Sequence, residues 1–132
     1  MIETPFAQRF AVEWIAAWNA HDLERILSHY TDDFEMRSPI IAERMGVATG
    51  VLRGKAAVRT YWGNALAAMP ELHFELRDLL VGVDTIVLYY YNSVRGRMVA
   101  ESLTFNRERQ VIRAAAHYGA GVASNPSRAS ID

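Results

Sequence analysis

One carboxylate in this 132-residue sequence stands where it could carry out acid/base chemistry. Glu101 belongs to residues 97–107, whose alternation of apolar and polar side chains is typical of a β-strand. On an apolar strand face its carboxyl group would lose hydration, so its pKa would rise and it would become a general acid or a hydrogen-bond donor. The alternative is a glutamate at the rim of the sheet that pairs with Arg97 or Arg113.

Two turns decide which side chains share the face that carries Glu101. Arg95-Gly96 is interpreted as the loop of one β-hairpin and Glu108-Arg109 as the loop of the next. The first turn pairs Tyr90 with Glu101, and the second pairs Glu101 with Ala116. The shared face then consists of large apolar residues with a polar group at one end: Ile86, Leu88, Tyr90, Asn92, Val99, Glu101, Leu103, Phe105, Ala114, Ala116 and Tyr118. Its two alanines leave room for a cavity or for bulky helix residues.

The opposite face of the same strands is unusually apolar for a surface in contact with water. It presents Tyr89 and Tyr91 beside small and β-branched residues. An exposed apolar sheet face predicts a homodimer that packs sheet against sheet. His117 is expected in that interface, although a one-residue slip of the last strand would turn it towards the cavity as an acid/base group.

A stripe of aromatic residues marks the first helix, for which Thr4-Pro5 is the predicted cap and first-turn pair and which is predicted to end near residue 20. Its members recur every four residues and are Phe6, Phe10, Trp14 and Trp18. Asp22 can cap a second, short helix, and Asp32-Asp33 is interpreted as a corner before the first strand. A third helix, over residues 55–69, offers Tyr61 and Trp62 as aromatic pocket walls.

The remaining segments are connections and strands. Residues 39–53 have no clean period and contain Gly46 and Gly50, which predicts a mobile connection. Strand patterns fill residues 73–118. We therefore predict one domain over residues 1–119 and a disordered tail over residues 120–132, which is rich in glycine, serine and alanine.

Composition excludes several classes of function. The net charge is −1 and the basic residues are scattered, so neither nucleic acid nor a membrane surface is an expected partner. There are no cysteines, and the four histidines lack the spacing of a metal pair. We find no phosphate-binding loop, no dinucleotide fingerprint and no signal peptide, so the sequence predicts a cytoplasmic protein that uses neither a metal nor another cofactor.

Several residues at fixed spacing carry a family resemblance. They are Trp18-Asn19, Asp22, Tyr30, Asp32-Asp33-Phe34, Ser38-Pro39 and residues 54–62. This pattern resembles the SnoaL-like group of the nuclear-transport-factor-two-like superfamily, over roughly residues 5–119. The resemblance implies an α+β fold in which a curved, mixed but mainly antiparallel sheet wraps around three N-terminal helices as a cone.

The resemblance also bears on the chemistry. It places Trp14 and Trp18 over a cavity, and the position of Glu101 is similar to that of the oxyanion-hole aspartate of ketosteroid isomerases. Ser38 stands where those enzymes have a general-base aspartate, and Trp14 stands where they have a tyrosine. Because serine cannot act as a base at neutral pH without a partner, steroid isomerisation by that mechanism is not expected.

The sequence therefore predicts a pocket for a hydrophobic small molecule, with Glu101 as the catalytic residue. The predicted substrate-binding residues are Trp14, Trp18, Ser38, Tyr61, Trp62, Tyr90, Asn92, Ala116 and Tyr118. One function that fits is a cofactor-independent acid/base isomerase, cyclase or dehydratase. The other is a non-catalytic ligand-binding or dimerisation domain of the same fold, which the missing aspartate at Ser38 favours.

Overall fold

The computed structural model describes residues 1–122, which contain four helices and six strands. The helices are α1 (Thr4–Asn19), α2 (Leu23–Leu27), α3 (Pro39–Met45) and α4 (Lys55–Ala68). The strands are β1 (Tyr30–Arg37), β2 (Val51–Arg53), β3 (Phe74–Val81), β4 (Thr85–Asn92), β5 (Arg97–Phe105) and β6 (Val111–Tyr118). Residues 123–132, most of the tail that is predicted to be disordered, lie outside the described residues.

All six strands form one open sheet in the order β2-β1-β6-β5-β4-β3. Strands β1 and β6 run parallel, and each other neighbouring pair is antiparallel. Irregularities between Leu76 and Asp78 and between Thr104 and Phe105 interrupt the ladders, and such bulges bend a sheet. The predicted class, α+β with a mixed but mainly antiparallel sheet and N-terminal helices, is confirmed.

The core lies between the helices and one face of the sheet. Helix α1 buries a wide face on which alanines alternate with large aromatic residues, namely Ala7, Phe10, Ala11, Trp14, Ala17 and Trp18. The sheet contributes the face that the sequence predicts, including Ile86, Leu88, Tyr90, Val99, Glu101, Leu103 and Phe105, all buried. The small alanines allow the helix backbone to approach the sheet, so the aromatic side chains of α1 reach deep into the core.

Strands β4 and β5 pair two residues away from the predicted register. Glu101 lies opposite Leu88, and Tyr90 lies opposite Val99. The loop between the strands is longer than Arg95-Gly96, because β4 already ends at Asn92. A shift of two residues leaves each side chain on its predicted face, since the alternation of a strand has a period of two.

The prediction of a mobile connection over residues 39–53 is wrong. Pro39 occupies the first turn of α3, and the Ser38 hydroxyl accepts a hydrogen bond from the backbone N–H of Ile40. The helix ends at Gly46, whose φ of 66° is in the left-handed region. Helix α3 has only seven residues, too few to establish a helical period in the sequence, so the structure has four helices where three are predicted.

Two smaller predictions are also wrong. Asp32 and Asp33 lie within β1, exposed, rather than at a corner before it, and Asp32 is 3.7 Å from the ammonium group of Lys55. Helix α1 begins after Glu3 without a capping side chain, so Thr4 is not its cap. Asp22 does cap α2 as predicted, since its carboxylate accepts a hydrogen bond from the N–H of Arg25.

Membrane-spanning helices are not found in residues 1–122, where each helix falls short of the length and apolar character that a bilayer requires. The cytoplasmic location stays a prediction.

Asn19 joins the end of α1 to the start of β3. Its side-chain amide donates to the carbonyl oxygen of Phe74 at 2.9 Å, and its side-chain oxygen accepts from the N–H of the same residue at 2.8 Å. Two hydrogen bonds to the backbone of one residue fix both the distance and the orientation of the helix relative to the strand. They hold Trp18 and Phe74, the neighbouring aromatic residues, at a centroid distance of 5.4 Å.

Replacing Asn19 with alanine should lower the free energy of unfolding by about 2 kcal/mol, because the backbone N–H and carbonyl oxygen of Phe74 both lose the Asn19 side chain as hydrogen-bond partner. Urea unfolding monitored by circular dichroism measures this loss. Gln8→Ala is the matched control, since Gln8 lies on the same helix but is exposed. Equal stability of the two variants would show that the Asn19 contacts do not hold α1 on the sheet.

Candidate functional site

A narrow cavity of about 70 Å³ lies between the helices and the sheet and opens to solvent at one end. Its walls come from α1, α3, α4, five of the strands and the loop between β4 and β5. The lining residues are Trp14, Trp18, Met36, Ser38, Ile40, Arg44, Tyr61, Trp62, Ala65, Met69, Leu72, Phe74, Tyr90, Asn92, Arg95, Glu101, Ala116 and Tyr118. The cavity is lined mainly by aromatic and apolar side chains with a few polar groups, which is the usual character of a small-molecule site.

Glu101 is the acidic residue of this cavity, and only 3% of its surface is exposed. Its Oε1 accepts a hydrogen bond from the Tyr90 hydroxyl at 3.0 Å. Burial raises the pKa of Glu101 to about 7, and the hydrogen bond from Tyr90 opposes part of that rise. Glu101 makes no ion pair within residues 1–122, so the prediction of a rim glutamate paired with Arg97 or Arg113 is wrong.

The second carboxylate oxygen of Glu101 is free for a ligand. In the part of the chain that the structure describes, Oε2 accepts no hydrogen bond, yet it is not among the sealed polar atoms. It lies on the wall of the cavity, opposite Ala116 across the β5–β6 pair. A methyl group at Ala116 leaves open the space that a larger side chain would fill, as the sequence predicts for this face.

A second tyrosine supports this end of the cavity. The indole N–H of Trp14 donates to the Tyr30 hydroxyl at 2.9 Å, and both residues are fully buried. Burial raises the pKa of Tyr30, the negative charge on Glu101 raises it further, and the hydrogen bond from Trp14 acts in the opposite direction. Tyr30 is therefore a neutral hydroxyl close to Glu101, and the sequence analysis does not identify this role.

Ser38 and Tyr118 form the neighbouring wall. The Ser38 hydroxyl caps α3 by accepting the hydrogen bond from Ile40, and the backbone N–H of Ser38 donates to the carbonyl oxygen of Gly50. Burial raises the pKa of Tyr118, as does the Glu101 carboxylate, whereas the Ser38 hydroxyl and two arginines lower it. Ser38 thus has a structural task that accounts for a serine before Pro39.

Asn92 faces the cavity from the last position of β4 and is also partly structural. Its side-chain oxygen accepts hydrogen bonds from the backbone N–H groups of Val94 and Arg95, which shapes the β4–β5 loop. Only its amide NH₂ is left to contact a ligand. The predicted role of Asn92 in orienting a substrate therefore depends on that amide alone.

Aromatic rings from three elements make the rest of the wall. Trp18 lies edge-on to Trp62, with a centroid distance of 5.1 Å, and Tyr61 is half-buried beside them. Trp18 Nε1 is sealed within residues 1–122 and has no acceptor there. Burial raises the pKa of Tyr61 to about 12, so its hydroxyl is neutral at physiological pH.

All the residues that the sequence predicts for the site lie in the walls of this one cavity. His117, whose role depends on the register of β6, lies instead on the outer face, exposed, with a ring nitrogen 3.1 Å from the carbonyl oxygen of Ala100. The sequence analysis misses Arg44 and Arg95, because one falls in the segment interpreted as a loop and the other in a turn. Phe74 and Met36 are missed as well. The alternation of their strands places both side chains on the buried face, but an apolar residue there is not distinguished from an ordinary core residue by its type.

Acidic and histidine side chains do not gather into a metal-binding group anywhere in residues 1–122. The cavity offers one carboxylate, three tyrosine hydroxyls, two guanidinium groups, one serine hydroxyl and the asparagine amide. This set can exchange a proton with a bound molecule and can hold its oxygen atoms.

The fold and the cavity define an α+β domain with a buried carboxyl group at the inner end of a small-molecule pocket. The family model of the SnoaL-like domain matches residues 11–119, which is most of the chain. The protein therefore belongs to the SnoaL-like family.

Solved structures agree with this assignment. A SnoaL-like protein of unknown function from Burkholderia thailandensis is 49% identical and has a TM-score of 0.87, with 89% of this chain and 98% of that chain covered. A protein of unknown function with a cystatin-like fold from Methylobium petroleophilum is 14% identical, with a TM-score of 0.71 and coverage of 92% of this chain and 81% of that one.

A further similar structure is the epoxide hydrolase/cyclase-like enzyme SalBIII, which is described with pyran ring formation in the polyether salinomycin. It is 17% identical, has a TM-score of 0.68, and covers 91% of this chain and 95% of its own. At such identity the likeness shows the fold alone. A comparison with curated proteins finds no match.

Glu101 should titrate with a midpoint near pH 7, well above the ordinary value of 4.5. Carboxyl-carbon NMR over pH 4 to 9 measures this directly, with Glu101→Gln to assign the signal. Tyr90→Phe should move the midpoint higher still, because it removes the hydrogen bond that favours the ionised form.

The same titration predicts how stability depends on pH. The unfolded chain ionises Glu101 near pH 4.5, whereas the folded chain keeps it neutral up to about pH 7. As the pH rises from 4.5 to 7, the free energy of unfolding of the wild type should therefore fall by about 3 kcal/mol. The free energy of unfolding of Glu101→Gln should not show this fall. A midpoint below pH 5 and parallel stability curves would place Glu101 in contact with water.

Proposed function

We propose that this SnoaL-like protein is a cofactor-independent acid/base enzyme that acts on a small, mainly apolar ring compound with a carbonyl group. The single observation that carries the proposal is the buried Glu101 carboxyl, whose free oxygen lies on the wall of an aromatic cavity. A carboxyl group with a pKa of about 7 is present in both protonation states near neutral pH, so one residue can remove a proton and return it.

The proton path needs few groups. Ionised Glu101 accepts a proton from the carbon next to the substrate carbonyl, which leaves an enolate. The protonated carboxyl then delivers that proton to a more distant carbon of the conjugated system, which gives the isomer, or to a leaving hydroxyl, which gives water and the dehydrated product. In both cases Glu101 gives up the proton that it accepted and ends the cycle ionised, ready for the next substrate.

The developing enolate oxygen requires hydrogen-bond donors. The Tyr118 hydroxyl and the Asn92 amide belong to the same walls. Neutral donors held by packing stabilise a charge that forms in a poorly hydrated site. Trp62 and Tyr61 enclose the ring.

A non-catalytic role is the second candidate, and one observation favours it. The Ser38 hydroxyl is engaged as the cap of α3, and a second carboxylate is missing from the described walls of the cavity. Without a second acid/base group the protein would bind its ligand and leave it unchanged. An isomerisation assay distinguishes the two functions, because an enzyme would accelerate the reaction and a binding domain would not.

Wild-type protein should accelerate the conversion of cyclohex-3-enone to its conjugated isomer, followed by NMR. The rate should rise with pH through an inflection near 7, because the ionised form of Glu101 removes the proton. Glu101→Gln should reduce the rate by about 100-fold or more. Glu108→Gln, an equal change of charge at an exposed position, should have no effect.

The contrary outcome is equally definite. If the wild type leaves the rate at its buffer value while cyclohex-3-enone and its relatives shift the NMR signals of the cavity residues, the protein is a binding domain.

We also propose that the protein forms a homodimer through the outer face of the sheet. Tyr89 is 40% exposed on that face, and its neighbours Tyr91 and Met98 are only partly covered. Large apolar groups in contact with water favour association with a second copy.

Analytical ultracentrifugation should give a dimer for the wild type and a monomer for Tyr89→Glu, because a charge would be buried in the interface without a partner. Val12→Glu is the control, since Val12 is an exposed apolar residue on α1 and does not belong to the outer face of the sheet. A monomeric wild type would overturn this proposal, as would a dimer that only Val12→Glu disrupts.

A further inference from the structure

Two arginines line the same cavity as Glu101, and both are more exposed to solvent than the buried Glu101. Arg44 lies in the last turn of α3 and is exposed, and Arg95 lies in the β4–β5 loop and is half-buried. They belong to different elements, so the fold brings two positive charges to one opening. Such an arrangement raises the local concentration of anions.

Neither arginine has a carboxylate partner in residues 1–122. Six other arginines of these residues do have such partners: Arg25 with Glu13, Arg37 and Arg53 with Glu35, Arg59 with Glu24, Arg77 with Glu75 and Arg109 with Glu3. Glu43 adjoins Arg44 in sequence, but neighbouring residues on a helix point in different directions. The charges at the opening are therefore not neutralised by the described chain.

The surroundings of Arg95 increase this positive potential. Its guanidinium carbon lies 5.8 Å from the centroid of the Tyr118 ring, and the guanidinium carbon of Arg97 lies 5.5 Å from the same centroid. Arg97 donates to the carbonyl oxygen of Gly119, which does not cancel its charge. Both Arg44 and Arg95 lower the pKa of Tyr61, against the larger effect of burial, so both act on the same part of the cavity.

We propose that the ring compound bound in this cavity carries a carboxylate, which Arg95 and Arg44 hold at the opening while the ring lies among the tryptophans. This inference rests on the proposed function, in which the carbonyl end of the compound faces Glu101. A planar carboxylate matches the fork of N–H donors on a guanidinium group. The acid at the inner end and the arginines at the outer end therefore fix the direction in which the molecule enters.

The cavity itself supplies the reporter for a test. The protein has three tryptophans, Trp14, Trp18 and Trp62, and all of them line the cavity. Their indole N–H signals in a ¹H–¹⁵N NMR spectrum respond to any ligand that enters. Cinnamate and cinnamamide are suitable probes, since they have the same shape and differ in charge.

Cinnamate should bind about tenfold more tightly than cinnamamide to the wild type, because charge-assisted hydrogen bonds are stronger than neutral ones. Arg95→Gln should remove most of this preference, and Arg95→Lys should keep part of it. Arg44→Gln should reduce the preference about threefold, since Arg44 is exposed and water screens its charge. Added salt should weaken the binding of cinnamate alone.

Arg107→Gln is the matched control, because Arg107 is an exposed arginine in the β5–β6 turn and does not line the cavity. It should leave the preference unchanged. Three outcomes overturn the proposal: equal affinity of the wild type for both probes, a preference that survives in Arg44→Gln and Arg95→Gln, or no shift of the indole signals at about 10 mM cinnamate.

The binding experiment and the isomerase assay test this inference and the proposed function independently. A carboxylate preference in a protein without isomerase activity leaves the inference standing for a binding domain. Isomerase activity without a carboxylate preference leaves Glu101 as the acid/base group and makes the substrate a neutral compound.

Discussion

The burial of one carboxyl group is the constraint on which the rest of the site depends. Glu101 lies on a central strand of the sheet and, within residues 1–122, has no ion-pair partner and accepts one hydrogen bond, from the buried Tyr90. A charge in such a place is costly, so the neutral form persists to about pH 7. The same burial that disfavours the charge produces a group able to exchange protons at physiological pH.

The cavity depends on helices whose positions next to the sheet, around Glu101, are fixed by specific contacts. Asn19 fixes the end of α1 on β3, and Ser38 caps α3 beside the opening. Ala116 leaves space opposite Glu101 that a larger residue would fill. Among the polar groups of the cavity, the Glu101 carboxyl is buried, whereas Arg44 and Arg95 are more exposed to solvent.

Membership of the SnoaL-like family accounts for the architecture but not for the reaction. The similar protein from Burkholderia thailandensis is itself of unknown function, and SalBIII shares the fold at low identity. One fold of this kind supports different chemistries, since the chemistry depends on which polar residues line the cavity. In this protein those residues are a buried glutamate without a second carboxylate, and Ser38 is committed to the cap of α3. These residues support the two proposed functions, which are proton transfer by a single carboxyl group and binding of a ligand without reaction.

Sequence patterns alone predict the class of fold, five of the six strands, the main helices and the face on which each site residue lies, but not β2, which lies in the segment predicted as a connection. Alternation in a strand and the aromatic stripe of α1 are local patterns, and a hairpin register shifted by two residues keeps every side chain on its face. Only the tertiary structure decided that Glu101 is buried rather than paired at the rim, because burial depends on what packs across the sheet. It alone revealed α3, a helix too short to show a period, and with it the position of Arg44. The meeting of Arg44 and Arg95 at one opening also required it, since residues far apart in the chain become neighbours only when the elements that carry them pack together.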